Sequence, residues 1–412
     1  MNKVKEKKFS TPLLLLLLAS AVMNEYLQWI LFLVLLLWYT ISNLRHFFVR
    51  KMPGGFFLFC LIFQCFIVGA LIYRPGARGY WPFLRDIIIT TNMALCWYVA
   101  SIAVDTLKTD GAEVYRTIIL FSFIMSLYSI GIRFVNGTTD YSTFVESGGI
   151  SGFIVSISLY LMLFKPSSIE NHYFGRLVDL IIELAIVLAF VFSFSRTTLI
   201  IFLCLILCGE FDSMSAWGKI VLMLALGAIA LPYFTPEILD TFLKKVMRSV
   251  TEISASNLWD DYNVVMNWRG YEVHRAELAY EKYTVLEKIF GKGFGATVDV
   301  GQFAYLVTSE SALPFLHNGY YTTLIKGGVV GIVLTIGYYC FAIYHYVKLS
   351  IPKYEKRLAI GIIIAMVVSM AVIHGFFWGG AQFVVFVVLA SILKNHTERE
   401  KLYESNSSDR NL

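Results

Sequence analysis

The sequence predicts an all-α polytopic membrane protein with about twelve transmembrane helices and a large, partly helical outer loop between the ninth and tenth. Three observations lead there. The 412 residues are 57% hydrophobic and only 15% charged, whereas soluble domains carry about a quarter charged residues. The apolar residues come in long uncharged blocks, not in stripes of period 2 or 3.6. Lysine and arginine gather in alternate connections between the blocks, the asymmetry expected of cytoplasmic loops.

A span needs about 20 mostly apolar residues, and fewer where the bilayer thins. On that basis the spans cover residues 11–23, 27–41, 56–73, 83–104, 117–132, 148–164, 177–194, 197–208, 220–233, 328–347, 358–374 and 377–393. With the amino terminus inside, 20 of the 34 Lys and Arg fall in cytoplasmic segments, 5 in short outer loops and 9 in the long loop. Both termini are therefore expected in the cytoplasm and the long loop outside. The start, where Lys3, Lys5, Lys7 and Lys8 precede an apolar run closed by Ala19, Ser20 and Ala21, has the layout of a signal peptide. It is read here as the first span, and the remaining topology is the same either way.

The chain divides into a membrane domain at 1–233, an outer loop at 234–327, a second membrane portion at 328–393 and a polar cytoplasmic tail at 394–412. Thr235 and Pro236, ahead of Ile238, Leu239, Phe242 and Val246, predict an amphipathic helix lying on the outer membrane surface. A second loop helix is predicted over 268–290, ending at Gly291, Lys292, Gly293, Phe294 and Gly295. No strand precedes these glycines and no Lys-Ser/Thr pair follows them, so they read as a turn and not as a phosphate loop.

The six cysteines lie inside apolar blocks without the paired spacing of a zinc site, and neither a metal nor a cofactor is implied. The formal charge of +5 reflects loops at the cytoplasmic face, and no nucleic-acid partner is expected.

Three stretches set polar groups at the outer boundary. The first is Ser193, Phe194, Ser195, Arg196, Thr197, Thr198; an isolated arginine there could simply snorkel to the headgroups. The second is Trp268, Arg269, Gly270, Tyr271, Glu272, with His274 and Arg275 beyond, charges that alone would mark a solvated helix face. The third is Leu316, His317, Asn318, Gly319, Tyr320, Tyr321, then Lys326, Gly327, Gly328 and Gly331. Intramembrane Asp179 and Glu183 are functional candidates of lower rank, because pairing inside the bundle explains them equally well.

In this order, over about 193–341, the stretches resemble the O-antigen polymerase and ligase family of bacterial envelope enzymes. The first half of the chain is similar only as a run of hydrophobic helices. The resemblance implies a metal-independent glycosyltransferase of the GT-C type in the bacterial inner membrane, with its active site on the periplasmic side. Its donor would be an oligosaccharide linked to undecaprenyl diphosphate, and a chain-length regulator is a further partner of such an enzyme.

The chemistry of the residues agrees. A departing diphosphate gains negative charge, so without a metal it needs fixed cations, and arginine presents a planar fork that holds two phosphate oxygens. Arg196 and Arg269 are the expected leaving-group clamps, with Arg275 a third contact. The attacking sugar hydroxyl needs a base, for which His317 is suited. Asn318 and Tyr321 would position the base or the acceptor, Ser195 accompanies Arg196 at the substrate, and Glu272 is read as an alternative base or as an orienter of an arginine.

The first reading is a polymerase that moves the growing chain onto the next lipid-linked repeat. The alternatives are a ligase acting on lipid A core, or a related enzyme that glycosylates a protein. From another class comes a flippase, which would need no large ordered loop carrying a histidine.

Overall fold

The computed structural model describes residues 10–43, 50–76, 79–107, 111–136, 151–164, 172–193, 195–209, 259–308, 310–371 and 382–408. Within them the chain forms α1 (Ser10–Ala19), α2 (Glu25–Ser42), α3 (Gly55–Ile72), α4 (Trp81–Thr106), α5 (Gly111–Asn136), α6 (Gly152–Leu163), α7 (Arg176–Phe192) and α8 (Arg196–Cys208). The loop contributes α9 (Asp261–Met266), α10 (Trp268–Glu281), α11 (Val285–Phe290) and an antiparallel pair, β1 (Val298–Asp299) with β2 (Ala312–Leu313). The long α12 (Gly319–Lys348), α13 (Lys353–Ser369) and α14 (Gln382–Ser408) close the described chain.

The protein is a helical membrane protein. Among the described residues, α2, α3, α4, α12 and Gly111–Arg133 of α5 are long and apolar enough to cross a bilayer. On α2 the side chains of Leu27, Ile30, Val34, Leu37, Trp38 and Ile41 are all exposed. Such a stripe would be costly in water but suits contact with lipid. The packed interior lies instead around α6 and α14, where every residue of α6 after Gly152 is buried and the stretch from Phe383 to Leu393 is buried on all sides. A helix apolar all round belongs in the middle of a bundle. Accordingly α14 packs on α4, α5, α6 and α13, and α8 fills the space between α6 and α13.

Several expectations change. The loop helix predicted over 268–290 is two helices, because Thr284 starts α11 with a capping box in which its hydroxyl takes the Glu287 N–H while Glu287 reaches back to the Thr284 N–H. These bonds hold the Glu287 carboxyl below its usual range. The expected tenth span began at Gly328, but the helix begins at Gly319 and breaks at Gly328, whose φ is +62°. Residues read as the start of a polar tail continue α14 to Ser408, with the buried Lys394 donating to the Val104 carbonyl at 3.2 Å. The predicted ninth span at 220–233 and the surface helix that follows Thr235 lie outside the described residues.

The break in α12 is filled by the glycine turn of the loop. Lys292 and Gly293 N–H groups donate to the carbonyls of Ile325 and Lys326 at 3.1 and 2.8 Å, and Gln64 of α3 donates to the carbonyls of Phe290 and Gly327, both at 2.8 Å. Carbonyls freed by a helix break are thus satisfied inside protein, the condition under which irregular backbone survives at membrane depth. The approach needs glycine on both sides: a Cβ on Gly293 would lie 2.0 Å from the Gly69 nitrogen, and one on Gly69 would lie 2.6 Å from the Phe294 nitrogen.

Candidate functional site

The centre of the site is a carboxylate and imidazole pair. Asn267 caps α10 by accepting from the Gly270 N–H at 3.0 Å, and Tyr271 ties the helix to β1's end through its hydroxyl and the Val300 carbonyl at 2.7 Å. With Tyr271 buried beside Val264, Val300 and Ala304, the next residue, Glu272, is carried inward and is 1% exposed. From the other side Leu316, packed among Ala276, Tyr283, Val298 and Ile325, pulls His317 against α10. Burial also raises the Tyr283 hydroxyl's pKa above its ordinary range.

His317 Nδ1 lies 2.9 and 3.1 Å from the two Glu272 oxygens, and the His317 backbone N–H donates to Oε2 at 2.8 Å. An ionised carboxylate only accepts, so Nδ1 carries a hydrogen, and in the neutral imidazole Nε2 is then the nitrogen with the lone pair. The imidazole side chain is 41% exposed while the carboxylate behind it is 1% exposed. A partly exposed imidazole whose Nδ1 is held by a buried carboxylate is an arrangement that suits a general base, since the orienting acid would stabilise its positive form.

No protein-family model matches the chain, and no curated protein matches it.

The other predicted residues take definite places around this pair. Asn318 is the N-cap of α12, its side chain accepting from the Tyr320 and Tyr321 N–H groups at 3.0 and 3.2 Å. It therefore fixes where the helix starts, one residue after His317. Tyr321 donates to Glu277 Oε1 at 2.6 Å and ties the first turn of α12 to α10. Arg275 donates through Nε to the Asp299 carbonyl at 2.9 Å, with its carboxylate 3.8 Å away. Those contacts anchor α10 to β1. Ser195 is the N-cap of α8, accepting from the Thr198 N–H at 3.2 Å. Asp179 accepts from the Tyr173 and Phe174 N–H groups, both at 3.0 Å, and serves the start of α7.

Arg269 stands half-buried one turn before Glu272, the spacing that puts two side chains on neighbouring positions of one helix face. Arg196 arrives from the bundle. Arg357 of α13 donates to the Gly209 carbonyl at 3.2 Å, and Gly361 sits against Leu205 and Cys208, so α8 and α13 run antiparallel. Counting back along α8 to Arg196 and forward along α13 to Met370 covers about 20 Å each way. The Met370 carbonyl accepts the Gly319 N–H at 2.7 Å, two residues past His317. Arg196 and His317 thus lie at the same end of the bundle. A cation at a helix's first residue opposes the helix dipole, so its position does not serve α8 through the dipole.

One pair escaped the sequence reading. Asp86, 0% exposed in α4, and Lys326, 1% exposed in α12, form a buried ion pair. Asp86 Oδ2 also accepts the Gly295 N–H at 2.7 Å, and Lys326 donates to the Ala296 carbonyl at 2.8 Å. The pair locks the glycine turn to the membrane helices. Its signal was Arg85 and Asp86 within the fourth apolar block, since charges at such positions are costly without partners.

Proposed function

We propose that this protein is a polysaccharide polymerase of the bacterial inner membrane. It transfers a glycan chain from undecaprenyl diphosphate to a sugar hydroxyl of the next lipid-linked repeat at the periplasmic face. The observation that carries the reading is the His317–Glu272 pair, a histidine half in contact with solvent whose Nδ1 is held by a buried carboxylate. The reading includes about twelve spans, a GT-C-like architecture and cytoplasmic termini.

In the reaction Nε2 of His317 takes the proton of the acceptor hydroxyl while its oxygen bonds to the anomeric carbon of the donor. The bond from that carbon to the phosphate oxygen breaks, and its electron pair leaves with undecaprenyl diphosphate. Arg269, a turn from Glu272, and Arg196, at the same end of the bundle, stabilise the charge that develops on the leaving group. The segment before the base, from Tyr305 to Leu316, is mainly apolar and aromatic. Such a surface suits a second polyprenyl-linked substrate in the bilayer better than a strongly anionic lipid core.

Deleting the gene and running lipopolysaccharide on a gel tests this. Core carrying a single repeat and no ladder is the expected result. Bare core with long polymer accumulated on the lipid carrier would replace the polymerase by a ligase, and an unchanged ladder would count against both.

A further inference from the structure

Arg85 lies in the first turns of α4, beside the buried Asp86 that holds the Gly295 N–H and the Lys326 ammonium. Its guanidinium carbon is 5.9 Å from the centre of the Phe315 ring, and Lys326 Nζ is 4.9 Å from the same ring. Phe315 precedes His317 by two residues. Arg85 is half-buried, and its Nε is buried with no acceptor among the described residues. A charged donor kept from water without an acceptor is costly, and the ring face returns only part of that cost. The neighbouring carboxylate does not relieve it, because Asp86 Oδ2 is taken by Lys326 and Gly295, and Oδ1 too lacks a partner among the described residues. An arginine held in this way, at the membrane edge and next to the base, is built to receive an anion brought by a ligand.

We propose that Arg85 binds a phosphate group of the lipid-linked donor, forming with Phe315 and Lys326 a phosphoanion subsite beside His317. The inference rests on the polymerase reading for the identity of the donor. The donor phosphate is attached directly to the carbon that the base-activated hydroxyl attacks, so it must lie within a few ångströms of the acceptor oxygen and hence of the imidazole. The Arg85 guanidinium meets the ring of Phe315, two residues before His317, and its fork matches two phosphate oxygens where the Lys326 ammonium, committed to Asp86, does not. The apolar wall of α4 and Phe315 would then receive the first part of the polyprenyl chain.

The full-length protein, purified in phosphate-free maltoside detergent, is titrated with farnesyl diphosphate, with farnesol, and with short-chain phosphatidylglycerol. Wild type is expected to bind the diphosphate. Arg85→Gln should bind it at least tenfold more weakly, Arg85→Lys should fall between the two, and all three should bind farnesol equally. His317→Ala should retain diphosphate binding, which separates this subsite from the base. Equal diphosphate affinity in wild type and Arg85→Gln overturns the inference while leaving the polymerase reading intact. Weakening confined to phosphatidylglycerol also overturns it, since Arg85 would then only meet bulk headgroups. No diphosphate binding by wild type would instead remove the proposed donor. Arg85→Lys, which keeps the charge, guards against loss of folding in Arg85→Gln.

Discussion

Glu272→Gln is the substitution that tests the site most sharply, because it changes a proton position and little else. Glu272 Oε2 accepts the His317 backbone N–H at 2.8 Å, and Oε1 faces Nδ1 at 2.9 Å. The backbone donor cannot turn away, so a glutamine must keep its carbonyl oxygen at the Oε2 position and place its NH₂ against Nδ1. Nδ1 is then forced to accept, the ring hydrogen moves to Nε2, and the nitrogen that should take the hydroxyl proton is blocked. Inverting the tautomer of an oriented histidine base lowers turnover by about 10³–10⁴-fold, which is about 4–5.5 kcal/mol of transition-state stabilisation. Folding should suffer far less: the side chains have the same shape, and exchanging hydrogen bonds to a charged acceptor for neutral ones costs about 1–2 kcal/mol. Turnover of a lipid-linked repeat by the purified protein, read beside an immunoblot of membrane abundance, separates the two effects. Activity within tenfold of wild type at normal abundance would refute the assignment of Glu272 as the group that orients the base.

Other outcomes follow from the same geometry. Arg196→Ala, Arg269→Ala and His317→Ala should each abolish polymer formation at near-normal abundance; groups that merely snorkel or sit on the surface would give nearly neutral changes of about half a kcal/mol. Arg269→Lys should also be poor, since a point charge does not replace a bidentate fork, and full activity there would remove the clamp. Gly293→Ala should loosen the loop from α3 and α12 and abolish activity, because the added Cβ would meet Gly69 backbone at 2.0 Å where φ is +72°; unchanged protease sensitivity of the loop would contradict this. A periplasm-only reporter fused after Lys282 should be active and fusions after Lys165 or Lys353 silent, and a signal at Lys353 would overturn the sidedness.

The fold class was legible in the residues because lipid imposes long uncharged apolar blocks, and blocks such as 83–104 and 56–73 reappear within α4 and α3 to within about two residues at either end. Local chemistry was legible too: Ser195 and Asn318 are residue types that cap helices, and both do so. What the chain alone left open was partnership across long separations. Glu272 reads as a base, as an orienter of an arginine or as a solvated charge until a segment 45 residues away lays His317 on it. Gly328 reads as the start of a span until the loop turn occupies the break beside it. Asp86 and Lys326, 240 residues apart, stand one in the fourth apolar block and one at the end of the loop, with nothing in either stretch to pair them. Periodicity and composition report how a segment meets its solvent, which is a local property. Which carboxylate meets which imidazole or ammonium depends on how the helices pack, and hydrophobic patterning carries no record of that.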